Sequence, residues 1–223
     1  MLKPDRSRRG DDARAGLKET AIDCFARYGY QGTSIDRIAR ESGVTKGAIY
    51  YHYKDKNDLL SAAVADRVKE FEDRVQSACS GTAPEESLRR IVSVCIEHAV
   101  SNDRPRFAIK LMVEAIDTHD PLLDAMRGMM RRFRAFVRNI IRAGQEDGAF
   151  RRDADAEQIA ATLTSSVIGA ETQYYLDPDR FRLEQTLETF MTQLFHDLGS
   201  NSAAAVQTAP SSTNGVPGEG PNP

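Results

Sequence analysis

Residues 33–53 of this 223-residue chain decide the fold, and they read TSIDRIARESGVTKGAIYYHY. Thr33, with Asp36 three positions later, has the form of a capping box at the start of a helix. A short apolar stripe follows and ends at Gly43, a residue type that commonly terminates helices. Thr45 can then cap a second short helix. The spacing predicts two short helices joined by a glycine-containing turn, which is the size of a helix-turn-helix.

The second of these helices has the composition of a surface that reads DNA. With Ile49 and Tyr53 facing inward, its outward residues combine cations and hydroxyls with Gly47 and Ala48, whose small size lets a backbone approach base edges closely. Lys46 can reach guanine acceptors, and the remaining polar residues suit phosphate oxygens. An ordinary helical hairpin is the alternative. The predicted DNA contacts are Ser34, Arg37, Thr45, Lys46, Gly47, Ala48, Tyr50, His52 and Lys56.

Helical periodicity extends to both sides of this stretch. Apolar residues recur at spacings of three and four while strand-like alternation is absent, which predicts an all-α fold of about nine helices. A long fourth helix, predicted from Lys56 to Cys79, links the two parts of the chain. We expect a basic flexible leader at 1–13, a helix-turn-helix domain at 14–60, a helical domain at 61–198 and a disordered tail, poor in large apolar residues, at 199–223.

Charge is unevenly distributed along the chain. The formal net charge is −3. Residues 1–60 nevertheless carry 12 lysines and arginines against 9 acidic residues, whereas residues 61–198 carry 18 against 23. A basic front end is a weak indication of an anionic partner at that end of the molecule.

Several classes of protein are disfavoured by the sequence. Apolar runs are far shorter than the ~20 residues needed to span a bilayer, and the charged first twenty residues lack the apolar stretch of a secretory signal. These features predict a cytoplasmic protein with no membrane partner, and the odd number of cysteines suits reduced thiols. Common catalytic and nucleotide-binding motifs are missing, so we predict no enzyme, no cofactor and no metal. For Asp117, His119 and Asp120, a polar turn is favoured over a metal site.

Residues 25–60, FARYGYQGTSIDRIARESGVTKGAIYYHYKDKNDLL, resemble the amino-terminal domain of the TetR family of transcriptional regulators. The resemblance implies a homodimer that binds a double-stranded DNA operator of near-palindromic sequence. It also implies phosphate contacts by Tyr50, His52 and Lys56. Some members of the family have a basic arm that contacts DNA. A solvated leader is favoured over such an arm for Arg6, Arg8, Arg9 and Arg14.

The resemblance implies that the second domain binds a small-molecule effector. Its methionine and phenylalanine side chains are adaptable and favour a largely lipophilic effector, with plain core packing as the alternative for each. The predicted pocket residues are His98, Phe107, Met112, Met126, Met130, Phe133, Gln173 and Tyr174. A solvated face is favoured over a site for an anionic effector at Arg127, Arg131, Arg134 and Arg138.

The same resemblance implies that the last two helices of each subunit form a four-helix dimer interface. Small residues permit close helix packing, and larger apolar residues supply contact area, with the subunit core as the alternative for the latter. The predicted interface residues are Ala161, Ser165, Gly169, Thr172, Leu187, Phe190, Met191 and Leu194.

The function predicted from these features is a repressor that an effector releases from its operator. An effector that binds one spacing of the two recognition helices better than another shifts the population of conformers, with the fourth helix as the lever. A ligand-independent DNA-binding or activator protein is the first alternative. A helical small-molecule carrier or enzyme is the second.

Overall fold

A computed structural model describes the backbone of residues 6–101, 105–116 and 121–199, and the side chains of 14–101, 109–114, 116 and 123–199. Within these ranges the chain forms nine α-helices and no strand, which confirms the predicted fold class. None of the described helices is both long and apolar enough to cross a membrane. The helices are α1 Arg6–Tyr28, α2 Ile35–Ser42, α3 Lys46–His52, α4 Lys56–Cys79, α5 Pro84–Val100, α6 Pro105–Ile116, α7 Pro121–Glu146, α8 Ala156–Leu176 and α9 Leu183–Asp197.

Helices α2 and α3 form the predicted helix-turn-helix, with one correction to its capping. The N-cap of α2 is Ser34, whose hydroxyl accepts the backbone N–H of Arg37, and not Thr33. Thr33 is buried, and its hydroxyl lies 2.7 Å from the carbonyl oxygen of Gly29, so that it fastens the α1–α2 connection instead. Gly43 ends α2 with a φ of +71°, a left-handed conformation that glycine adopts without steric cost.

The first and last helices differ from their predicted bounds. Helix α1 begins at Arg6, within the predicted flexible leader, because residues 6–13 contain no proline and are mostly compatible with a helix. Helix α9 begins at Leu183 rather than Arg180. The carbonyl of Asp177 accepts the backbone N–H groups of Arg180 and Phe181, and this turn delays the helix. Side chains of the leader arginines Arg6, Arg8 and Arg9, and all of residues 200–223, lie outside the described residues.

Two hydrophobic cores organise the molecule, and they do not divide at residue 60. The first core lies behind the helix-turn-helix and includes Phe25, Ile38 and Ile49, all fully buried. It also takes Leu111 from α6 and Met126 from α7. The second core is built from α5, α7, α8 and α9, with Val75 of α4. Three helices of the predicted second domain, namely α4, α6 and α7, thus supply the first core, and α4 does so through Ala63 and Val64. Packed contacts therefore connect that domain to the helix-turn-helix.

Candidate nucleic-acid interface and effector cavity

Helix α3 presents one buried side and one open side. Ile49 is fully buried and Tyr53 is 3% exposed, so these two side chains fix the helix against the first core. The predicted contact residues Thr45, Lys46, Gly47, Ala48 and His52 are all exposed, and Tyr50 is 54% exposed. Thr45 accepts the backbone N–H of Ala48 and so closes the start of the helix.

The fold of the chain does not require a glycine at position 47. A Cβ atom built at this position would meet no atom closer than the Thr45 hydroxyl oxygen, 3.9 Å away. Glycine inside a helix lowers its stability relative to alanine, by roughly 0.5–1 kcal/mol. The fold therefore gives no reason for a glycine at this point, whereas a closely approaching partner does.

Tyr51 belongs to the same open surface, although it is not among the predicted DNA contacts. Its side chain is 84% exposed, more than that of Tyr50, and its ring lies edge-on to His52 with 4.9 Å between centroids. The helical register could have identified Tyr51 as exposed. It follows Tyr50 and lies two positions from each of the buried residues, Ile49 and Tyr53.

Contacts within the helix-turn-helix already engage several of the predicted DNA contacts. Lys46 forms an exposed ion pair with Asp36 of α2. The guanidinium of Arg37 lies over the ring of Tyr28, 3.8 Å from its centroid. Ser34 caps α2 while staying exposed. These contacts hold the side chains of Ser34, Arg37 and Lys46 in place in the free protein.

Lys56 has a different position from the one that the sequence predicted. Its ammonium donates to the carbonyl oxygens of Tyr30, at 2.9 Å, and of Thr33, at 3.0 Å. It also lies 3.9 Å from the centroid of the Tyr30 ring. Burial lowers the pKa of this ammonium, while Glu114 partly opposes that shift. Lys56 therefore joins α4 to the α1–α2 connection, and because its side chain is only half-buried, its contact with a DNA phosphate stays a prediction.

Helix α6 contacts the end of α1, a connection that the sequence analysis did not predict. The carboxylate of Glu114 accepts the backbone N–H of Tyr30 at 3.0 Å. The ammonium of Lys110 donates to the carbonyl oxygen of Ala26 at 3.2 Å. The carbonyl of Ala26 is one of those that the end of a helix leaves without a partner, and Tyr30 lies two residues beyond that end. Helices α4 and α6 therefore both link the two cores.

A cavity of about 220 Å³ lies between the two cores. Helices α1, α4, α5, α6, α7 and α8 all contribute to it, so its wall includes the back of the helix-turn-helix domain through Ile22 and Val64. Gln173 and Tyr174 lie outside it, since Gln173 is exposed and Tyr174 packs on the second core, and the side chain of Phe107 is outside the described residues. The predicted pocket residues that line it are His98, Met112, Met126, Met130 and Phe133.

The polar groups of the cavity were mostly missed from the sequence. Glu171 of α8 lines it, and burial raises the pKa of this carboxyl to about 7. The pKa of His98 is lowered by burial and then by Arg74 and Arg67, which favours the neutral imidazole. Glu171 had a recognisable signal, because it is the one charged residue between Glu157 and Asp177.

Helix α7 carries six arginines, and the four that the sequence analysis considered for an anionic effector do not line this cavity. Arg127 pairs with Asp124, and Arg138 pairs with Glu157, while Arg131 is exposed. Arg127 and Arg131 are thus exposed, as expected for the solvated face that the sequence favoured, whereas Arg134 and Arg138 are half-buried.

The predicted dimer residues divide into two groups. One group is buried in the second core, with exposed fractions of 1% for Leu187, 4% for Met191 and 7% for Leu194. These three side chains therefore pack inside the subunit and not at the predicted interface. Their apolar stripe packs α9 onto its own subunit. The remaining predicted residues keep accessible surface on α8 and α9, namely Ala161, Ser165, Gly169, Thr172 and Phe190.

Comparison with known families places both parts of the chain. The family described as "Bacterial regulatory proteins, tetR family" matches residues 17–63. The family described as "BetI-type transcriptional repressor, C-terminal" matches residues 84–197, which is more than half of the chain. The chain belongs to the TetR family. It is a DNA-binding transcriptional regulator of that family, whose members bind operators, dimerise and respond to small-molecule effectors.

Individual relatives of this TetR-family chain are regulators as well. The HTH-type transcriptional regulator AcrR of Shigella flexneri is 33% identical over 104 residues, which span 45% of this chain and 48% of AcrR. The "Probable acrEF/envCD operon repressor" of Escherichia coli K12 is 25% identical over 70% of this chain and 73% of its own length. The solved structure of SmeT, the repressor of a Stenotrophomonas maltophilia efflux pump, has the same fold, with a TM-score of 0.72, 21% identity and coverage of 90% of this chain and 97% of SmeT.

Proposed function

We propose that this TetR-family regulator is a homodimeric repressor that a small, largely apolar effector releases from a near-palindromic operator. The observation that carries the proposal is the open side of α3, where exposed polar side chains flank Gly47 and Ala48 on a helix anchored by Ile49. One α3 is only seven residues long and reaches few base pairs. Two copies related by a two-fold axis double the contacts and set the spacing of the half-sites.

The dimer in this proposal uses the accessible side of α8 together with Phe190 of α9. Gly169 supports close packing there, because a Cβ atom at this position would meet no atom within 4 Å in the single subunit. Leu176 supports it too, since this large apolar side chain is 81% exposed at the end of α8. Burial of that surface by a second copy would be favourable, by about 25 cal/mol for each Å² of apolar area.

Repression itself is supported by the relatives. The C-terminal match is to a family of repressors, and the matched Escherichia coli protein is named an operon repressor. A promoter that carries the operator in front of a reporter gene tests this point. We expect expression to fall when the regulator is present, and increased expression would favour the activator alternative.

The effector response in this proposal runs through α4 and α6. Both helices line the cavity, α4 with Val64 and Val68 and α6 with Leu111, and both hold the end of α1 through Lys56 and Glu114. An effector that fits a displaced arrangement of these helices better would change the spacing of the two α3 helices. Linkage then requires the operator to weaken effector binding by the same factor.

Replacing Glu114 with alanine tests the α6 contact. The backbone N–H of Tyr30 would lose its acceptor, so we expect hydrogen exchange at residues 29–33 to accelerate at least tenfold, which corresponds to about 1.4 kcal/mol. Exchange measured by mass spectrometry with peptide resolution checks this. Glu146→Ala, an exposed glutamate at the end of α7, is the matched control and should leave exchange at residues 29–33 unchanged. Unchanged exchange in Glu114→Ala would contradict the coupling through α6.

A further inference from the structure

Asp36 places a negative charge at the open surface of the helix-turn-helix. It belongs to the first turn of α2, and its carboxylate pairs with the ammonium of Lys46 at the start of α3. Among the residues whose side chains the structure describes, this carboxylate has no other ion-pair or hydrogen-bond partner. Asp36 therefore acts on the surface of the motif through one predicted DNA contact, which is Lys46.

The fold gains little from this ion pair. The side chains of Asp36 and Lys46 are 63% and 54% exposed, and water screens ion pairs of such exposure, so that they contribute little to stability. The start of α2 does not need the carboxylate as a cap, because the hydroxyl of Ser34 already accepts the backbone N–H of Arg37. The main effect of the pair is thus expected on what the surface binds.

A carboxylate at this surface weakens the binding of DNA in general. Duplex DNA carries one negative charge for about every 1.7 Å of its axis, so an acid beside the docking surface repels every sequence alike. In the chain, Asp36 lies between the predicted DNA contacts Ser34 and Arg37. Its charge therefore has a cost in affinity, and a compensating benefit has to lie in the choice of sequence.

Lys46 is the kind of side chain that gains selectivity from a restraint. A lysine ammonium is a compact charge on a flexible stem, so on its own it binds any phosphate within reach. The major-groove edge of guanine offers two neighbouring acceptors, O6 and N7. An ammonium that Asp36 already holds in one direction loses less freedom at such an edge, and it is less available to phosphates.

We propose that Asp36 is a positioning residue that determines the sequence preference of the regulator by restraining Lys46. It favours contact of the ammonium with one base and disfavours its contact with phosphates. This inference rests on the docking of α3 on duplex DNA in the proposed function, and it adds a residue outside α3 that sets specificity.

Selection from a pool of random duplexes first locates the base that Lys46 reads. That base is the position at which the parent protein has a preference and Lys46→Ala has none, and we expect a guanine there. Fluorescence anisotropy then compares the duplex that the parent enriches with the same duplex changed at that base pair in both half-sites. A scrambled duplex of the same composition reports affinity that is independent of sequence.

The variant Asp36→Asn keeps the shape of the side chain and removes its charge. For the parent, we expect the base change to weaken binding at least about tenfold, as is usual for a base pair that a protein reads. For Asp36→Asn, the same change should weaken binding less than about threefold, and affinity for the scrambled duplex should rise. The double variant with Lys46→Ala should have the base preference of Lys46→Ala alone, because both residues act on one contact.

Glu41→Gln provides the matched control. Glu41 is an exposed acid on the same helix, and its carboxylate contacts the thiol of Cys24 rather than Lys46. Glutamine keeps an oxygen that can accept from that thiol, while the charge of α2 changes as it does in Asp36→Asn. The base change should still weaken binding of Glu41→Gln at least about tenfold.

Urea denaturation of Asp36→Asn distinguishes a positioning role from a purely structural one. A lower free energy of unfolding, together with equally weaker binding of all three duplexes, would indicate a structural role and overturn the proposal. An Asp36→Asn protein that keeps the base preference of the parent would also overturn it, and so would a Lys46→Ala protein that loses no preference. In these cases the parent still selects its operator, so the proposed function stands. A parent that selects no sequence would refute the docking of α3 and this inference together.

Discussion

Replacing Ala48 with glutamate should abolish specific operator binding and leave the fold intact. Ala48 is exposed on the open side of α3, so a longer side chain there meets solvent in the free protein. In the complex, the added carboxylate would face the acceptor-rich base edges and phosphates of the major groove, twice per dimer. We expect operator affinity to fall at least about 100-fold, equivalent to about 2.7 kcal/mol. Fluorescence anisotropy with a labelled operator duplex measures it.

Ala65→Glu provides the matched control for this substitution. Ala65 is also exposed, but it lies on α4, more than two turns after the helix begins, and it is not part of the α3 surface. Its substitution adds the same charge to the same part of the protein, and operator affinity should stay within threefold of the parent. Equal losses in the two variants would indicate a general charge effect, and normal operator binding by Ala48→Glu would contradict the docking of α3.

Replacing Lys56 with methionine should lower the free energy of unfolding rather than change which DNA sequences the protein prefers. Methionine preserves most of the side-chain packing but cannot donate to the carbonyl oxygens of Tyr30 and Thr33. Hydrogen bonds from a charged group contribute about 1.5–3 kcal/mol each, and relaxation or water recovers part of that. We therefore expect the free energy of unfolding to fall by about 2 kcal/mol, measured by urea denaturation followed by circular dichroism.

Lys54→Met separates this internal role from the loss of a positive charge. Lys54 is exposed and lies two residues away, so its substitution should change the free energy of unfolding by less than about 0.5 kcal/mol. If Lys56→Met unfolds like the parent and instead weakens DNA binding evenly across sequences, the ammonium serves phosphates, as the sequence analysis first predicted.

The helix-turn-helix was predictable because its signals are local. Gly43 and Thr45 mark the turn and the cap within a few residues, and the register of Ile49 and Tyr53 fixes which side of α3 faces outward. The bounds of α4 followed in the same way from an apolar stripe that repeats over about five turns, with the residues Leu60, Val64, Val68, Phe71, Val75 and Cys79. Spacing along one helix is sufficient for such predictions, since no distant partner is involved.

The partners of individual side chains were harder to predict, because periodicity indicates which face of a helix is apolar but not what packs against that face. The stripe of Leu187, Met191 and Leu194 was recognised, yet only the packing of α9 shows that it covers its own subunit. Lys56 was recognised as a cation near α3, but its partners are carbonyl groups 23 and 26 residues earlier in the chain. Glu171 gained meaning only when α4, α5 and α7 enclosed it.

Selection of binding sites from a pool of random DNA duplexes, with the parent protein and Ala48→Glu in parallel, tests whether the open side of α3 reads duplex DNA. We expect the parent protein to enrich an inverted repeat whose half-sites are separated by about one turn of DNA or a multiple of it, with affinity that falls steeply as salt rises. We expect Ala48→Glu to enrich no common sequence. A parent protein that enriches nothing over the starting pool, even at low salt, would contradict the claim that the open side of α3 docks on duplex DNA.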